Sequence, residues 1–234
     1  MNRDALTVLQ ARSAPLRMII YDCDGVLVDS EPVASRVCAE EISSLGWPMT
    51  TEACHALFLG MNFSDMQPII EARLGRQIPP DWVPYVADRL VQTLSREAVL
   101  MDGAEAMLQA TTALGLDWRI ASNSGPEELQ AKFARTGLAA LVEGRVHSAN
   151  EVILRGGRGK PAPDLFLAAA AASGMPPETC VVVEDSITGI RAAHAAGMTC
   201  LAYAPHGDSP GLAELGVPAI RSLYHLPELF GAVL

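Results

Sequence analysis

Residues 16–30 read LRMIIYDCDGVLVDS, an apolar run that gives way to two aspartates and a glycine. An apolar run of this length predicts a buried strand. Gly25 allows a sharp turn at the end of that strand, where open α/β sheets place their chemistry. Asp22 and Asp24 repel each other at this spacing, so a bound cation, or a reaction that needs a nucleophile and an acid, would explain them. For the tetrapeptide alone, the alternative is a solvated or calcium-binding turn.

The bulk composition limits the possible functions. The chain has 234 residues, is half hydrophobic and carries a formal net charge of −10. This length accommodates one sizeable α/β domain with an insert, and the acidic balance argues against a nucleic-acid-binding surface. The five cysteines show no CxxC spacing and no secretory signal is evident, which favours a reducing cytoplasm. No apolar run approaches membrane-spanning length, so we expect no membrane partner, and we expect a monomer.

Helical and strand-like patterns alternate along the second half of the chain. Strands are predicted over 118–121, 180–183 and 199–203, with helices over 104–114, 126–136, 163–173 and 187–196. Strands that alternate with helices favour a doubly wound parallel sheet, so the predicted fold class is α/β.

Residues 31–98 follow a different pattern. Four helical segments succeed one another with no clear strand between them, over 33–45, 51–59, 63–74 and 82–98. This pattern predicts an all-helical insert after the first strand. We therefore expect a core domain of residues 16–30 and 99–234, a cap domain of residues 31–98, and a flexible N-terminal tail of residues 1–15.

Polar residues follow two further predicted strands. Ser122 comes at the end of one of them, where a hydroxyl can hold a phosphoryl oxygen with help from the next main-chain N–H, that of Asn123. Glu184 and Asp185 come at the end of the other, and two adjacent acids at the mouth of a buried strand need a cation. Helix capping is the alternative for Ser122 and for Asp185.

A lysine held between a glycine and a proline completes the set of motifs. Lys160 lies between Gly159 and Pro161, just before a predicted helix. Its ammonium group can neutralise charge on a nucleophile and on a transferring phosphoryl group, although most lysines are solvated surface charges. Arg155 and Arg158 precede it and either add positive potential or lie on a mobile surface loop.

The four motifs, in this order, resemble those of the haloacid dehalogenase-type phosphohydrolases. The resemblance implies that Asp22 attacks phosphorus to form an aspartyl-phosphate. It implies that Asp24 is the general acid for the leaving alcohol and then the base for water. Ser122 and Lys160 would bind the phosphoryl group.

The same resemblance implies Mg²⁺ as the cofactor. The ligands would be the side chain of Asp22, the main-chain carbonyl of Asp24, and Glu184 with Asp185. An all-oxygen set of this kind suits Mg²⁺. The inserted helices would form a four-helix cap that excludes water during the reaction and selects the substrate.

Single residues favour one activity within this family. A haloalkanoate dehalogenase does not need the second aspartate, so Asp24 favours phosphoryl chemistry. A phosphonate-cleaving relative would use a cap lysine, and residues 31–98 contain none.

Hexose-phosphate mutases of the β-phosphoglucomutase type carry a basic residue where Leu59 stands and a histidine where Ala34 stands. We therefore expect a phosphatase of a small sugar phosphate or sugar-acid phosphate, with the mutase as the alternative. A binding module without turnover would have lost a motif residue, and none is lost.

A segment of the cap, residues 58–65, is expected to choose the substrate. We assign Gly60, Asn62 and Asp65 to substrate binding because the polar groups of this segment suit sugar hydroxyls. Asn62 is also a suitable N-cap for the next predicted helix, which is the alternative for that residue.

Overall fold

A parallel sheet forms the centre of the computed structural model, which describes residues 2–58, 60–207, 211 and 214–234. Its strands are β1 (Met18–Tyr21), β4 (Asp117–Ser122), β5 (Val146–Ser148), β6 (Cys180–Glu184), β7 (Thr199–Tyr203) and β8 (Ala219–Ile220). They lie in the order β5-β4-β1-β6-β7-β8, and every neighbouring pair is parallel. The predicted α/β fold class is confirmed.

Helices cover both faces of the sheet because alternate residues of each strand point to opposite sides. Ile19 and Tyr21 belong to one apolar cluster, and Met18 and Ile20 belong to the other. The first cluster includes residues of α1 (Arg3–Gln10), α6 (Ala104–Ala113), α7 (Pro126–Thr136), α8 (Ala139–Val142) and α12 (Leu226–Gly231). The second includes residues of α9 (Ala149–Leu154), α10 (Asp164–Ala172) and α11 (Ile187–Ala195).

The insert is helical, as its sequence pattern predicts. It contains α2 (Glu31–Ser44), α3 (Thr51–Phe58), α4 (Phe63–Leu74) and α5 (Trp82–Glu97). Two very short strands, β2 (Val28–Asp29) and β3 (Val99–Leu100), pair antiparallel where the insert leaves the core and returns to it. Two-residue strands leave no periodic signal, which is why the sequence did not predict them. We propose that residues 31–98 are the cap domain.

The prediction of a flexible tail over residues 1–15 is wrong for residues 3–10, which form α1. Ala5 and Leu9 lie one helical turn apart and are buried in the core. Asn2 caps the helix by accepting a hydrogen bond from the N–H of Ala5, and its amide donates to the carbonyl of Ala219 at 2.6 Å. The helix is therefore tied to β8 at the far edge of the sheet.

The other elements that sequence reasoning missed are short. The strands β5 and β8 and the helices α8, α9 and α12 have six residues or fewer, too few to show a strand or helix period. Among the described residues, no helix combines the length and the apolar character needed to cross a bilayer.

Candidate active site

The segments after β1, β4 and β6 meet at one edge of the sheet. β1 lies between the other two strands, with Tyr21 in register with Ile120 on one side and with Val183 on the other. Because the carboxyl ends of parallel strands share an edge, the side chains that follow them converge. The topology thus assembles residues from three separate motifs: Asp22, Asp24, Ser122, Glu184 and Asp185.

Asp22 lies in a buried network of charges. Lys160 Nζ is 2.7 Å from Asp22 Oδ1 and 2.5 Å from Glu184 Oε1, and the Lys160 side chain is only 3% exposed. Glu184 is fully buried, and its second oxygen accepts hydrogen bonds from the N–H and the hydroxyl of Ser186, both at 2.8 Å. Lys160 therefore reaches the predicted nucleophile from a loop 138 residues further along the chain.

This network holds more negative than positive charge. Burial, and next the charge of Glu184, raise the pKa of Asp22 to about 7, although the Lys160 ammonium opposes the rise. Burial, followed by the charges of Glu184 and Asp22, raises the pKa of Asp185 well above its ordinary value. Three carboxylates share one ammonium group, so a cation bound among them would stabilise their ionised forms.

The three carboxylates fit a divalent cation. One oxygen from each of Asp22, Glu184 and Asp185 lies within 4.8 Å of the other two. A carboxylate offers about four acceptor positions, of which Glu184 uses three on Lys160 and Ser186. Within the part of the chain that the structure describes, no protein group donates a hydrogen bond to Asp185, so both of its oxygens are available. An all-oxygen donor set of this kind suits Mg²⁺.

Two glycines leave the space that these acids occupy. Gly25 has a φ of +71°, and a Cβ on it would lie 1.9 Å from Asp185 Oδ2. A Cβ on Gly189, in the first turn of α11, would lie 1.7 Å from Glu184 Oε1. Any larger residue would collide with a cluster carboxylate at either position, and at Gly25 it would also be strained in the left-handed region.

Asp24 is held by a second lysine, which the sequence analysis missed. Lys132, on α7, is fully buried, and its Nζ lies 2.5 Å from Asp24 Oδ1 and 2.5 Å from Glu128 Oε1. Burial alone would raise the pKa of Asp24, but the Lys132 ammonium and hydrogen bonds from Lys132, Ser30 and Ser124 hold it below its ordinary value. Asp24 therefore stands as a carboxylate.

Composition carried a signal for Lys132. The chain has 17 basic residues, and only two of them, Lys132 and Lys160, are lysines. Both are buried, and each is bonded to one of the two aspartates of the first motif. In a chain whose other basic residues are arginines, a lysine indicates a position that needs a compact ammonium group.

Ser122 and Asn123 lie where the sequence predicts but have partners in the protein. The Ser122 hydroxyl donates to Asp24 Oδ2 at 3.2 Å and accepts from the N–H of Ser124 at 3.1 Å. The Asn123 side chain accepts from the N–H of Lys160 at 3.0 Å and donates to its carbonyl at 3.3 Å. The Asn123 side chain thus fixes the main chain that carries Lys160.

Across the ranges that the structure describes, no hydrogen bond or ion pair joins the predicted substrate residues of the insert, Gly60, Asn62 and Asp65, to the acid cluster. Asn62 caps α4 by accepting from the N–H of Asp65 at 2.9 Å, and its amide donates to the Asp65 carboxylate at 2.6 Å. Both side chains are exposed, and Gly60 is exposed with a φ of +78°. Leu59, which we used against the mutase, lies outside the described residues. Asn62 is therefore the N-cap of α4, and its role in substrate binding stays a prediction.

The two arginines ahead of Lys160 lie at the surface. Arg155 is exposed, and the side chain of Arg158 is 76% exposed, with its Nε 3.5 Å from Asp164 Oδ2. A pair this exposed contributes little to stability. Their positions agree with the surface-loop alternative.

Comparison with known proteins agrees with this geometry. The family model of the haloacid dehalogenase-like hydrolases matches residues 16–197. A probable pseudouridine-5'-phosphatase from Drosophila melanogaster is 31% identical over 186 residues, which cover 76% of this chain and 78% of that protein. The 6-phosphogluconate phosphatase of Escherichia coli is 26% identical over 218 residues, which cover 93% of this chain and 96% of that protein.

A solved structure extends the similarity to three dimensions. A haloacid dehalogenase family hydrolase from Deinococcus radiodurans, determined with bound phosphate and sodium, is 30% identical. It superposes with a TM-score of 0.75 over 95% of this chain and 99% of its own. The family match covers most of the chain and includes all four motifs. The resemblance inferred from the sequence is confirmed, and the chain belongs to the haloacid dehalogenase-like hydrolases.

Proposed function

We propose that this protein is an Mg²⁺-dependent phosphatase that hydrolyses a small phosphorylated metabolite, a sugar phosphate or sugar-acid phosphate, through an aspartyl-phosphate. One observation carries the proposal: the buried Asp22 carboxylate has Lys160 Nζ at 2.7 Å and lies among Glu184 and Asp185. A nucleophile beside a fixed ammonium group, within an acid cluster that fits a cation, suits attack on an anionic phosphorus centre.

In the first step, a carboxylate oxygen of Asp22 forms a bond to phosphorus as the ester P–O bond breaks. The electron pair of that bond goes to the ester oxygen, which takes a proton from Asp24 and leaves as the alcohol. Lys160 stabilises the negative charge on the phosphoryl oxygens. The Ser122 hydroxyl and the main-chain N–H of Asn123 would bind one of those oxygens.

In the second step, a water molecule attacks phosphorus and gives a proton to the Asp24 carboxylate. The bond between phosphorus and Asp22 breaks, which restores the nucleophile and releases phosphate. The proton that Asp24 gains here is the one it donates in the next turnover, so the cycle balances. Its ionised form in this structure is the form that the second step needs.

The cation would be held by Asp22, Asp185 and Glu184 with the main-chain carbonyl of Asp24. When bound, Mg²⁺ would supply positive charge that offsets the negative charge of the nucleophile and of the phosphoryl group. The protein contributes the fixed positions of the four groups, which the strand ends and the two glycines determine.

The relatives support a class of substrate, phosphate esters of sugar derivatives, and do not single out one member of it. Two proteins similar to this chain over most of their length are named for phosphate esters of sugar derivatives, pseudouridine-5'-phosphate and 6-phosphogluconate. Five buried free cysteines fit a reducing compartment, so we propose a cytoplasmic location. We also propose that the protein acts as a monomer.

The direct test is a panel of phosphorylated metabolites incubated with the protein and Mg²⁺, with release of inorganic phosphate as the readout. We expect phosphate release from at least one sugar phosphate or sugar-acid phosphate, and no release by the Asp22→Asn variant. Conversion of a hexose phosphate to an isomer without release of phosphate would support the mutase alternative. No turnover of any member would count against both.

Asp24→Asn should separate substrates by their leaving groups. A nitrophenolate leaves without protonation, whereas a sugar alcohol needs a proton, so removal of the acid should reduce kcat/KM for sugar phosphates more than for p-nitrophenyl phosphate. We expect a difference of at least about tenfold, since general acid catalysis contributes about 10²–10⁴-fold. Steady-state kinetics on both substrates measure it. Equal losses, with the first step limiting both rates, would argue against the acid role.

Asn62→Ala and Asp65→Ala test the insert loop. If these side chains bind sugar hydroxyls when the insert closes on substrate, each change should alter the ranking of substrates by kcat/KM. The expected change is about tenfold between the best two, because an unpaired buried polar group costs about 1–3 kcal/mol. Activity with p-nitrophenyl phosphate is the control. A lower melting temperature with an unchanged ranking would show that the two residues act only as the cap of α4.

A further inference from the structure

The two lysines of the chain have matching positions at the active site. Lys160 contacts Asp22, and Lys132 contacts Asp24, although the two lysines come from different elements. The remaining 15 basic residues are arginines. The family motifs account for Lys160, whereas nothing in the proposed mechanism yet uses Lys132.

Lys132 is enclosed by polar partners. Its side chain is 0% exposed. Besides Asp24 and Glu128, its ammonium donates to Ser124 Oγ at 2.9 Å. Glu128 lies one turn earlier on α7, with its side chain 23% exposed. A buried ammonium is stable only when it is paired and hydrogen-bonded, and this site meets both conditions.

Both oxygens of Asp24 are held in this arrangement. Oδ1 accepts from Lys132 at 2.5 Å and from the hydroxyl of Ser30, while Oδ2 accepts from Ser124 at 2.9 Å and Ser122 at 3.2 Å. Lys132 supplies the charged donor, and charge-assisted hydrogen bonds are about twice as strong as neutral ones. Without it, only hydroxyl groups would hold the Asp24 carboxylate, and the ammonium charge that offsets its repulsion by Asp22 would be lost.

We propose that Lys132 is a positioning residue, which fixes the Asp24 carboxylate beside Asp22 so that it can exchange protons with the leaving group and with water. This proposal rests on the proposed function, because it assumes the acid–base role of Asp24. A proton donor must lie within hydrogen-bond distance of its target, and a displacement of about 1 Å can reduce the rate about 10²-fold. Lys132 acts through Asp24 and does not contact the substrate.

The test compares two phosphate esters in Lys132→Met. We expect kcat/KM for the best sugar phosphate of the panel to fall at least about tenfold more than kcat/KM for p-nitrophenyl phosphate. Lys132→Arg retains the charge and should restore part of that ratio. Arg3→Met is the control: it removes an exposed cation from α1, and the ratio should stay as in the wild type.

A double-mutant cycle separates positioning from a purely structural role. In the Asp24→Asn background, Lys132→Met should change kcat on the sugar phosphate by less than about threefold, since the group it positions is already lost. Equal losses on both esters, an unchanged ratio, or a full further loss in the Asp24→Asn background would each overturn the proposal.

Two further variants keep the test decisive if Lys132→Met does not fold. Lys132→Met with Glu128→Gln removes the partner carboxylate that the single change would leave unpaired. Glu128→Gln alone leaves the pair of Lys132 with Asp24 in place, so it should change the ratio less than the double variant does. An unchanged ratio in the double variant would then overturn the proposal. If the wild type hydrolyses no phosphate ester, the proposed function fails, whereas a wild type that is active with a normal ratio in these variants defeats only the role of Lys132.

Discussion

Asp22→Asn should lower kcat by at least ~10³-fold and leave the fold intact, by analogy with the loss of other catalytic nucleophiles. An amide has nearly the size of a carboxylate but cannot form the phosphoryl intermediate. Asp22 is 7% exposed, and its N–H donates to the carbonyl of Val183, so the change leaves the main-chain pairing untouched. Circular dichroism and phosphate release on the same preparation check both halves of the prediction.

The stability of this variant has an expected sign. Burial and the charge of Glu184 raise the pKa of Asp22 to about 7, so its ionised form is unfavourable in the folded protein without a cation. A neutral amide removes that repulsion, and the melting temperature of Asp22→Asn in chelator should equal or exceed that of the wild type. Asp29→Asn, at an exposed position on β2, is the control and should change kcat less than about twofold. Full turnover by Asp22→Asn would refute the mechanism.

Removal of Mg²⁺ should lower kcat about as much as Asp22→Asn does. A metal that stabilises transition-state charge contributes several kcal/mol, so excess chelator should lower kcat by roughly 10³-fold, and added Mg²⁺ should restore it. Asp185→Asn weakens a proposed ligand whose oxygens have no protein donor among the described residues. This variant should need at least about tenfold more Mg²⁺ for half-maximal activity. Activity that persists in excess chelator would contradict the proposal.

Chelator should also reveal a pH dependence of stability. The folded-state pKa values of Asp22 and Asp185 are raised, so the stability linked to these groups is fully present below their unfolded pKa of about 3.9. That stability is lost as the pH rises through the folded pKa, which is about 7 for Asp22. The melting temperature in chelator should therefore fall between about pH 5 and pH 8, and Mg²⁺ should raise it more at the higher pH. A melting temperature that rises over this range would exclude repulsion among the acids.

The sequence predicted the parts of the site that lie next to strands. Asp22, Ser122 and Glu184 each come at the end of an apolar run, and parallel pairing must bring such ends to a common edge. Lys132 was missed because it lies within α7, where helical periodicity shows that a residue faces inward and does not show which residue it meets. Its partner Asp24 is 108 residues away in the chain. The docking of α1 was missed for a different reason: its residues were assigned to a frayed terminus from their place in the chain, whereas Ala5 and Leu9 are buried in the core.

The insert was predicted more accurately than its role. Helices of 8 to 16 residues give a clear period, and their bounds follow the sequence closely. The contacts of Asn62 and Asp65 depend on where the insert lies when substrate is bound, which local sequence does not specify. The pairing of β2 with β3 fixes both ends of the insert side by side. The Arg135 side chain on α7 also donates to the carbonyl of Arg96 on α5 at 2.6 Å, which joins the insert to the core a second time.

The scarcity of lysine gives this protein an unusual chemical surface. Outside the site, all the lysine and arginine positions are arginines, because both lysine side chains are buried beside Asp22 and Asp24. A reagent that acylates primary amines therefore finds no exposed lysine on the folded molecule. Acylation of Lys132 or Lys160 can proceed only while the catalytic centre is transiently open to solvent. The rate of that modification, measured by mass spectrometry, would report how often the site opens to solvent, with no engineered label required.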